Sequence, residues 1–296
     1  MPPLEGPFGF VVIDKPAGFT SHACISRLRR CYGLKRVGHG GTLDPAVTGV
    51  LPVALGLATR LFPYMPGEKD YRGVIQLGIR TSSDDLQGEI LKIDQWPKLD
   101  QTSLIDALAQ FRGTIQQRPP RISAVHISGK RAHMRARRGE FMKLPLRMVT
   151  IEQLNLIHWN AASGRLTIEV RCSAGTYIRA LARDLGELLG CGGCLAELTR
   201  TQALGFDLKQ AHPLPELDTP LPRPLSPLHV LWRLPKYAMT NKEEMDWRCG
   251  KRLTTSGSFN NGDVVVVCNS DGSMAGMGLC EPNQQLQPKV VFDAIG

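Results

Sequence analysis

The sequence predicts a domain of mixed α and β structure, followed by a proline-rich linker and a small β-barrel. Three observations lead to this organisation. Strand-like and helix-like patterns alternate through the first 210 residues, residues 211–235 hold seven of the 21 prolines, and a run of four valines lies between turn signals near the end. The length of 296 residues suits one large domain plus a small one.

The elements of the large domain follow from local patterns. Residues 8–14 predict a buried strand that ends at Lys15-Pro16, and Thr20-Ser21 provides an N-cap for a helix that runs to about Tyr32. Apolar residues alternate with polar ones from 166 to 172, which is the period of a half-buried strand. Helical spacing follows from Ile178 to Leu189, and Gly190 ends that helix. Arg179 is therefore expected in the first helical turn, directly after a strand.

The second part of the chain begins beyond the proline-rich segment. Proline blocks both helix interiors and central strands, so we expect residues 211–235 to form a linker. The valines at 264–267 lie between the turn signals NNGD and NSDG. This pattern predicts strands of a small barrel within residues 236–296.

The charge balance indicates a polyanionic partner. The chain carries a formal charge of +9 and has a pI near 9.3. Within residues 118–147, nine Lys and Arg side chains face a single acid, Glu140. From Lys236 onward six basic and seven acidic residues give 6 − 7 = −1, so the positive field belongs to the first 235 residues. A merely solvated basic face is the alternative.

The sequence gives no sign of a membrane or disulfide-bonded protein. No apolar run reaches 18 residues, and the N-terminus lacks the basic and apolar regions of a signal peptide. The eight cysteines are scattered through a chain too large to need disulfide bonds. We therefore expect a cytoplasmic protein without a membrane partner.

The segment GHGGTLDPAVTGVLPVALG, residues 38–56, is the strongest candidate for a site. Its glycines let the backbone approach a ligand or another segment closely, and Asp44 is the one charged residue between His39 and Leu57. A carboxylate among apolar neighbours needs a cationic partner to stay ionised on burial. A capping or turn aspartate before Pro45 is an equally good interpretation of the spacing alone.

Other site types fit less well. A nucleotide P-loop would end in Gly-Lys-Ser/Thr, which is missing here. Cys191 and Cys194 could form a redox pair or half of a zinc site, yet no second pair follows at the spacing of a zinc ribbon. The histidines show no clustering typical of ligands. We expect neither a metal nor a cofactor.

Five ordered segments identify the family that the chain resembles. They are GFVVIDKPAGFTSH (9–22), GHGGTLDPAVTGVLPVALG (38–56), KDYRGVIQLGIRTSSDDLQGEI (69–90), RPPRISAVHISGKRAH (118–133) and CSAGTYIRALARDLGELLGCGG (172–193). Together they strongly resemble the TruB family of tRNA pseudouridine synthases, over nearly the whole chain to about residue 210. The segment after the linker resembles, more loosely, the PUA-type RNA-binding barrel.

The resemblance implies a fold and a reaction. The fold is α+β, with a mixed, mainly antiparallel sheet and flanking helices in residues 1–210, a linker at 211–235 and a PUA-like barrel at 236–296. The reaction is the isomerisation of uridine 55 in the T loop of tRNA to pseudouridine. No cofactor or obligatory protein partner is expected, and the protein is expected to be a monomer that binds the T-arm of tRNA.

The resemblance also assigns roles to individual residues. Asp44 matches the catalytic aspartate, Arg179 the arginine that pairs with it, and Tyr71 the tyrosine that stacks on the displaced base. Pocket positions match Tyr177 and Leu198, and His39 matches the histidine that fills the space left by the flipped nucleotide. Lys15, in the DKP motif, is expected to shape the pocket wall. Phosphate contacts are expected from residues of the basic cluster and of the first helix region: Arg121, Lys130, Arg131, Arg135, Arg137, Arg138, Arg27, Arg29, Arg30, Lys35 and Arg36.

Three positions depart from the usual family pattern. Ile122 and His133 replace common aromatic residues, and Val47 replaces a small one. None of the three is expected to touch Asp44, Tyr71 or Arg179. Two other functions stay open: a guide-RNA-dependent pseudouridine synthase subunit, and an RNA-binding or RNA-folding protein without catalysis.

Overall fold

The computed structural model describes residues 6–123, 126–127, 130–131, 144–216, 220–255, 257 and 259–295. The backbone alone is described at 126–127 and 130–131. The helices are α1 (Ser21–Tyr32), α2 (Gln101–Ala109), α3 (Ile178–Leu188), α4 (Pro227–Val230) and α5 (Asn241–Arg248). Short 3₁₀ segments lie at Gly56–Tyr64, Leu208–Gln210 and Pro282–Gln284.

Within the described residues, fourteen strands precede the C-terminal part. They are β1 (Gly9–Lys15), β2 (Val37–His39), β3 (Thr48–Leu55), β4 (Lys69–Leu77), β5 (Ile79–Thr81), β6 (Ile90–Ile93), β7 (Gly113–Gln117), β8 (His126–Ile127), β9 (Lys130–Arg131), β10 (Arg147–Asn160), β11 (Arg165–Cys172), β12 (Gly193–Ala203), β13 (Phe206–Asp207) and β14 (His212–Pro213). The C-terminal strands are β15 (Lys236–Ala238), β16 (Leu253–Thr254), β17 (Val264–Cys268), β18 (Met274–Glu281) and β19 (Gln285–Val291).

The large sheet is mixed and mainly antiparallel, as predicted. Its strand order is β14-β1-β3-β12-β4-β11-β10-β7, with β2 on β3 and β13 on β12. Only the β1–β14 and β3–β12 pairs of this sheet are parallel. The central strands β12 and β4 pair antiparallel, with Leu198 opposite Gly73 and Arg200 opposite Tyr71. This pairing places Leu198 and Arg200 on the strand next to Tyr71.

The local predictions for the first domain are confirmed. Thr20 accepts a hydrogen bond from Ala23 N as the N-cap of α1, and Gly33 ends that helix in the left-handed region at φ 63°. The helical pattern from Ile178 gives α3, and the alternating pattern gives β11. The tyrosine that precedes α3 has extended backbone, so Arg179 does lie in the first turn.

Apolar side chains from α1 and α3 cover one face of the sheet and form the main core. Leu28 of α1 and Leu181 of α3 belong to the same buried cluster as Ile13, Ile75 and Ile168 of the sheet. Each is almost fully withdrawn from solvent. Burial of such side chains stabilises the fold by roughly 1.5–3 kcal/mol each.

The C-terminal strands form a separate sheet in the order β15-β17-β18-β19-β16. The predicted strand at 264–267 is β17, and α5 packs Trp247, with no exposed surface, into the interior of this unit. A second apolar cluster joins the unit to the large sheet, with Phe10 and Leu61 on one side and Met277 and Phe292 on the other. The Arg60 guanidinium also donates to Val291 O at 3.0 Å across this junction.

The proline-rich segment runs along the edge of the large sheet. Its β14 pairs with β1, and Phe10 exchanges two backbone hydrogen bonds with Leu225. Proline at position 227 begins α4, where a missing N–H costs nothing. No helix in the described part of the chain is both long and apolar enough to cross a membrane.

Candidate active site

Asp44 lies in the turn between β2 and β3, and two buried side chains hold that turn. Lys15 Nζ donates to Pro45 O at 3.1 Å and also to Pro16 O and Phe19 O at 2.8 and 2.7 Å. Ser21 Oγ accepts from Leu43 N at 2.9 Å and donates to Leu43 O at 3.1 Å. The residues on both sides of Asp44 are therefore anchored to the ends of β1 and α1.

The glycines of the segment allow close packing, as the sequence analysis expected. A Cβ on Gly40 would lie 2.0 Å from Leu204 and 2.9 Å from Phe62, so no side chain fits there. Gly41 has φ +107°, a left-handed region that disfavours other residues. The backbone at these glycines packs closely against other parts of the protein. Asp44, which follows them, lies at the edge of a cavity.

Arg179 forms an ion pair with Asp44. Its Nη2 lies 3.0 Å from Asp44 Oδ2, and the arginine side chain is only 8% exposed. The same guanidinium donates to Ser83 O and to Ile122 O, both at 2.9 Å. A second carboxylate, Asp85, lies 3.5 Å from Nη1. Four oxygen atoms from three segments thus fix the guanidinium in one position.

The Asp44 carboxylate is less buried than its apolar neighbours suggested. Its side chain is 46% exposed, because it lies at the mouth of the cavity and not among the core residues Val50 and Leu51. Water therefore reaches the carboxylate from one side while the guanidinium holds it from the other. The group is both oriented and accessible to a ligand, which is what a nucleophile needs.

The cavity next to Asp44 has a volume of about 240 Å³. It is lined by Asp44, Tyr71, Tyr177, Arg179 and Leu198, together with Thr42, Leu43, Val47, Lys69, Ser123, Gly175, Thr176 and Ile178. A neighbouring cavity of about 300 Å³ shares Asp44, Val47, Arg179 and Leu198. Five of the seven residues expected at the active site therefore line one cavity.

Tyr71 and Tyr177 line the cavity from two different elements. Tyr71 is 8% exposed in β4, where burial raises the pKa of its phenol although nearby Arg200 opposes that shift. Tyr177 precedes α3, and its backbone is bound by the Gln117 amide, which donates to Tyr177 O at 3.1 Å and accepts from Tyr177 N at 2.8 Å.

His39 and Lys15 do not line the cavity. Nδ1 of His39 is buried and has no hydrogen-bond partner among the described residues, and burial next to Arg200 lowers the pKa of the imidazole. Lys15 has no exposed surface and donates to three carbonyl groups, so its role in this structure is to hold the Asp44 turn.

One expectation about the departures from the family pattern is wrong. Val47 and Ile122 both touch the site: Val47 N donates to Asp44 O at 3.0 Å, and Ile122 O accepts from Arg179. Both contacts use backbone atoms, so neither depends on the side chain. Contacts made by backbone atoms cannot be inferred from which side chain occupies a position. His133 lies outside the described residues.

Five of the eleven predicted phosphate-binding residues have no described side chain. Arg135, Arg137 and Arg138 lie outside the described residues, and only the backbone of Lys130 and Arg131 is described, as strand β9. Arg121 is exposed and lines a different cavity, of about 620 Å³.

Three residues near the site were missed by sequence reasoning: Asp85, Lys69 and Arg200. Lys69 lies two residues before Tyr71 in β4, and Arg200 two residues after Leu198 in β12. Residues at this spacing share a face of a strand, so the alternation could have indicated both. Asp85 lies in a loop, where no periodic pattern of residues indicates which side chains come together.

In the part of the chain that the structure describes, no group of three or more His, Cys, Asp or Glu residues could hold a metal ion. Cys191 and Cys194 are buried free thiols, and burial raises the pKa of the Cys194 thiol to about 11. A thiol of that kind is a poor nucleophile and a poor metal ligand at neutral pH.

Solved structures share this fold. A chain of a H/ACA ribonucleoprotein bound to a substrate RNA containing 2'-deoxyuridine superposes with a TM-score of 0.71, covering 96% of this chain and 85% of that one at 22% identity. The archaeal box H/ACA Nop10-Cbf5 complex gives a TM-score of 0.70, covering 97% and 87% at 22% identity. These likenesses show that the fold is shared over nearly the whole chain.

Sequence comparisons narrow the class. Residues 29–178 match the model for the N-terminal domain of TruB family pseudouridylate synthases, and residues 179–221 match the C-terminal domain of tRNA pseudouridylate synthase B. tRNA pseudouridine synthase B of Parasynechococcus marenigrum is 69% identical over 99% of this chain and 100% of its own length. The protein of the same name from Synechococcus sp. (strain WH7803) is 58% identical over the same shares of the two chains. The chain belongs to the TruB family of pseudouridylate synthases.

Proposed function

We propose that this protein converts uridine 55 in the T loop of tRNA to pseudouridine, with Asp44 as the nucleophile. The observation that supports the chemistry is the 3.0 Å Asp44–Arg179 ion pair at the mouth of a cavity lined by Tyr71. The tRNA substrate is supported by the names of relatives that match this chain over their full length.

The reaction is an isomerisation and needs no external reactant. The bond between N1 of uracil and C1′ of the ribose breaks, and a bond between C5 and C1′ forms. The C5 proton is lost, and N1 gains a proton. Asp44 attacks either C1′ of the ribose or C6 of the base; both routes are nucleophilic catalysis by a carboxylate and regenerate it at the end.

Arg179 holds the nucleophile in one orientation. The guanidinium is anchored by the carbonyl oxygens of Ser83 and Ile122 and by Asp85, so it cannot follow Asp44 if the loop moves. In the resting site it also leaves the other face of Asp44 open to a ligand.

Tyr71 and Leu198 receive the flipped base. Moving a uridine out of a stacked RNA loop costs roughly a few kcal/mol, and an aromatic or apolar pocket offsets that cost. Tyr71 stacks on the base, Leu198 packs on the opposite side, and Tyr71 is a candidate for handling the C5 proton. Tyr177 forms a further wall, and His39 occupies the gap in the RNA.

The remaining parts of the proposal concern binding and context. The basic residues of 118–147, Arg121 among them, contact phosphates of the T-arm, so binding weakens steeply with salt. Residues 1–210 form the catalytic domain, 211–235 the linker and 236–296 a PUA-like RNA-binding unit. The protein acts as a cytoplasmic monomer without a protein partner or cofactor.

The test is an assay of the purified protein on an unmodified tRNA transcript, with pseudouridine mapped by a base-specific chemical adduct. We expect a single adduct at position 55, and none on a transcript with cytidine there. Asp44→Asn should lower the rate by about 10⁴-fold, while the tRNA dissociation constant stays unchanged.

Asp70→Asn is the matched control. Asp70 also pairs with an arginine, Arg171, at 2.7 Å, yet it lines neither cavity next to Asp44. Its variant should keep full turnover. An active Asp44→Asn protein would favour an RNA-folding role, and a wild-type protein inactive on free tRNA would favour the guide-RNA-dependent alternative.

A further inference from the structure

The cavity carries a second charged group that the proposed reaction has not yet used. Lys69 lines the cavity from β4, on the same face as Tyr71. Within the described ranges, its ammonium group makes no hydrogen bond and has no carboxylate within 4.0 Å. Asp44 and Arg179 neutralise each other across the same cavity, so Lys69 is its uncompensated charge.

A second cation lies directly behind Lys69. Arg200 has no exposed surface; its Nε donates to Val50 O at 2.8 Å and its Nη2 to Gly41 O at 3.1 Å. Nη1 of Arg200 is buried without a hydrogen-bond partner in the described structure. A Cβ on Gly41 would lie 3.2 Å from Lys69 Nζ and 3.5 Å from this Nη1, so the glycine leaves room for both groups.

Two converging cations are unfavourable without an anion. Burial and the Arg200 charge lower the pKa of Lys69, and burial lowers the pKa of Arg200. A protein that only needed to fill this space would gain stability from an apolar side chain there. The arrangement is therefore expected to serve a ligand that brings or develops negative charge.

We propose, building on the proposed function, that Lys69 is a catalytic residue whose ammonium group donates to a ring carbonyl oxygen of the target uracil as negative charge develops there. Arg200 acts behind it as a positioning residue that keeps the region positive. Preorganised donors aimed at developing charge are among the largest contributions to enzymatic rate.

The bond changes require such a group by either route. If Asp44 attacks C1′, the electron pair of the N1–C1′ bond stays on uracil, which becomes an anion with charge on N1, O2 and O4. If Asp44 adds to C6, the electrons of the C5–C6 double bond move towards O4 as an enolate. Both intermediates place negative charge on ring oxygens, and both lose it as C5 forms its bond to C1′. Asp44 leaves as the carboxylate, C5 loses its proton and N1 gains one.

A phosphate is the competing ligand for the same ammonium group. Lys69 shares a strand face with Tyr71, on which the base is proposed to stack, and both lie inside the cavity. A phosphate that entered to this depth would lose much of its hydration, whereas the base must enter for the reaction to occur. The position of Lys69 therefore favours the base over a phosphate as its ligand.

The test compares two substrates in Lys69→Met, which removes the charge and keeps the length of the side chain. Wild type and variant are measured in single turnover on tRNA with uridine or 5-fluorouridine at position 55, by loss of the intact nucleotide. Fluorine at C5 withdraws electrons and stabilises the anionic base without help from the protein. We expect a loss of about 10²-fold on uridine and a clearly smaller loss on 5-fluorouridine.

Controls separate this result from misfolding and from the proposed function. The ratio of the two rates within one preparation does not depend on how much protein is folded. Lys98→Met, at an exposed position that lines neither cavity, should change neither rate. If the wild-type protein reacts with neither substrate, both the proposed function and the proposed role of Lys69 are contradicted.

Two results overturn the Lys69 proposal alone. One is an equal loss on both substrates, which indicates a structural role. The other is a weakened tRNA dissociation constant with a salt slope reduced by about one and an unchanged single-turnover rate, which indicates a phosphate contact.

Discussion

Arg179 and Arg183 lie one helical turn apart, and each forms a cluster with two carboxylates. The two clusters differ in how exposed those carboxylates are. Arg179 and Arg183 both project from α3, and each pairs with one of two adjacent loop acids: Arg179 with Asp85 at 3.5 Å and Arg183 with Asp84 at 2.8 Å. Residues four apart lie on one face of a helix, so the spacing alone presents both guanidinium groups to the same loop.

The second acid of each cluster makes the difference. Arg179 reaches Asp44, whose side chain is 46% exposed at a cavity mouth. Arg183 reaches Asp184, its neighbour on the same helix, at 2.8 Å, with 28% of that side chain exposed. The first cluster presents a carboxylate that is nearly half exposed, whereas both acids of the second are more buried, although they and Arg183 line the cavity of about 620 Å³ that Arg121 also lines. An ion pair is therefore a candidate for catalysis only where one partner stays open to a ligand.

Of the substitutions that test this comparison, Arg179→Met is expected to have the largest effect. The substitution removes the charge that holds Asp44 and keeps an unbranched side chain at this position of the cavity wall, so turnover should fall by about 10³-fold while tRNA binding stays unchanged. Single-turnover rates at saturating enzyme, together with a binding isotherm, measure both quantities. Retained turnover would remove Arg179 from the catalytic group and end the distinction between the two clusters.

A loss of stability is expected from Arg183→Met. It leaves Asp84, with a 15% exposed side chain, and Asp184 without their cation. The free energy of unfolding should fall by about 2–3 kcal/mol, at the low end for a broken buried pair because some solvent still reaches both acids. Urea denaturation measures the loss. Turnover per folded molecule should stay at the wild-type value, and a loss like that of Arg179→Met would contradict the comparison.

Individual helices and strands could be predicted from the sequence, whereas the order of the strands in the sheet could not. Helix α1 followed from a capping threonine and a terminal glycine, and β11 from strict alternation, because these signals are local. The order of ten strands in the large sheet depends on pairings between distant segments. No local pattern encodes such pairings, so the resemblance to a family was needed to predict a mainly antiparallel sheet.

The site shows the same limit. Asp44 was identifiable as a lone acid in a glycine-rich turn, and the resemblance paired it with Arg179. The exposure of Asp44 was not predictable, because it depends on how the turn is held by Lys15 and Ser21 from two other elements. Asp85 was missed because its contribution is a contact with Arg179, and the two residues are far apart in the sequence.

The smallest expected effect is a change in the pH dependence of stability. Burial raises the pKa of Asp84 above its ordinary value of 3.8, even though Arg183 opposes the shift. Removing that cation in Arg183→Met raises the pKa further. A carboxyl whose pKa is higher in the folded than in the unfolded state binds more protons when folded, so stability rises as pH falls through the folded pKa towards 3.8.

The stability defect of Arg183→Met should therefore be smaller at pH 5 than at pH 7.5. Protonation removes the buried negative charge that the substitution leaves without a partner. Urea denaturation of variant and wild type at both pH values gives the difference directly. Asp84→Asn in the Arg183→Met background is the control, because it removes the carboxyl whose pKa is raised and should reduce the pH dependence with it. A defect of Arg183→Met that stays constant with pH would show that Asp84 is hydrated, as Asp44 is, and exposure would then no longer distinguish the two clusters.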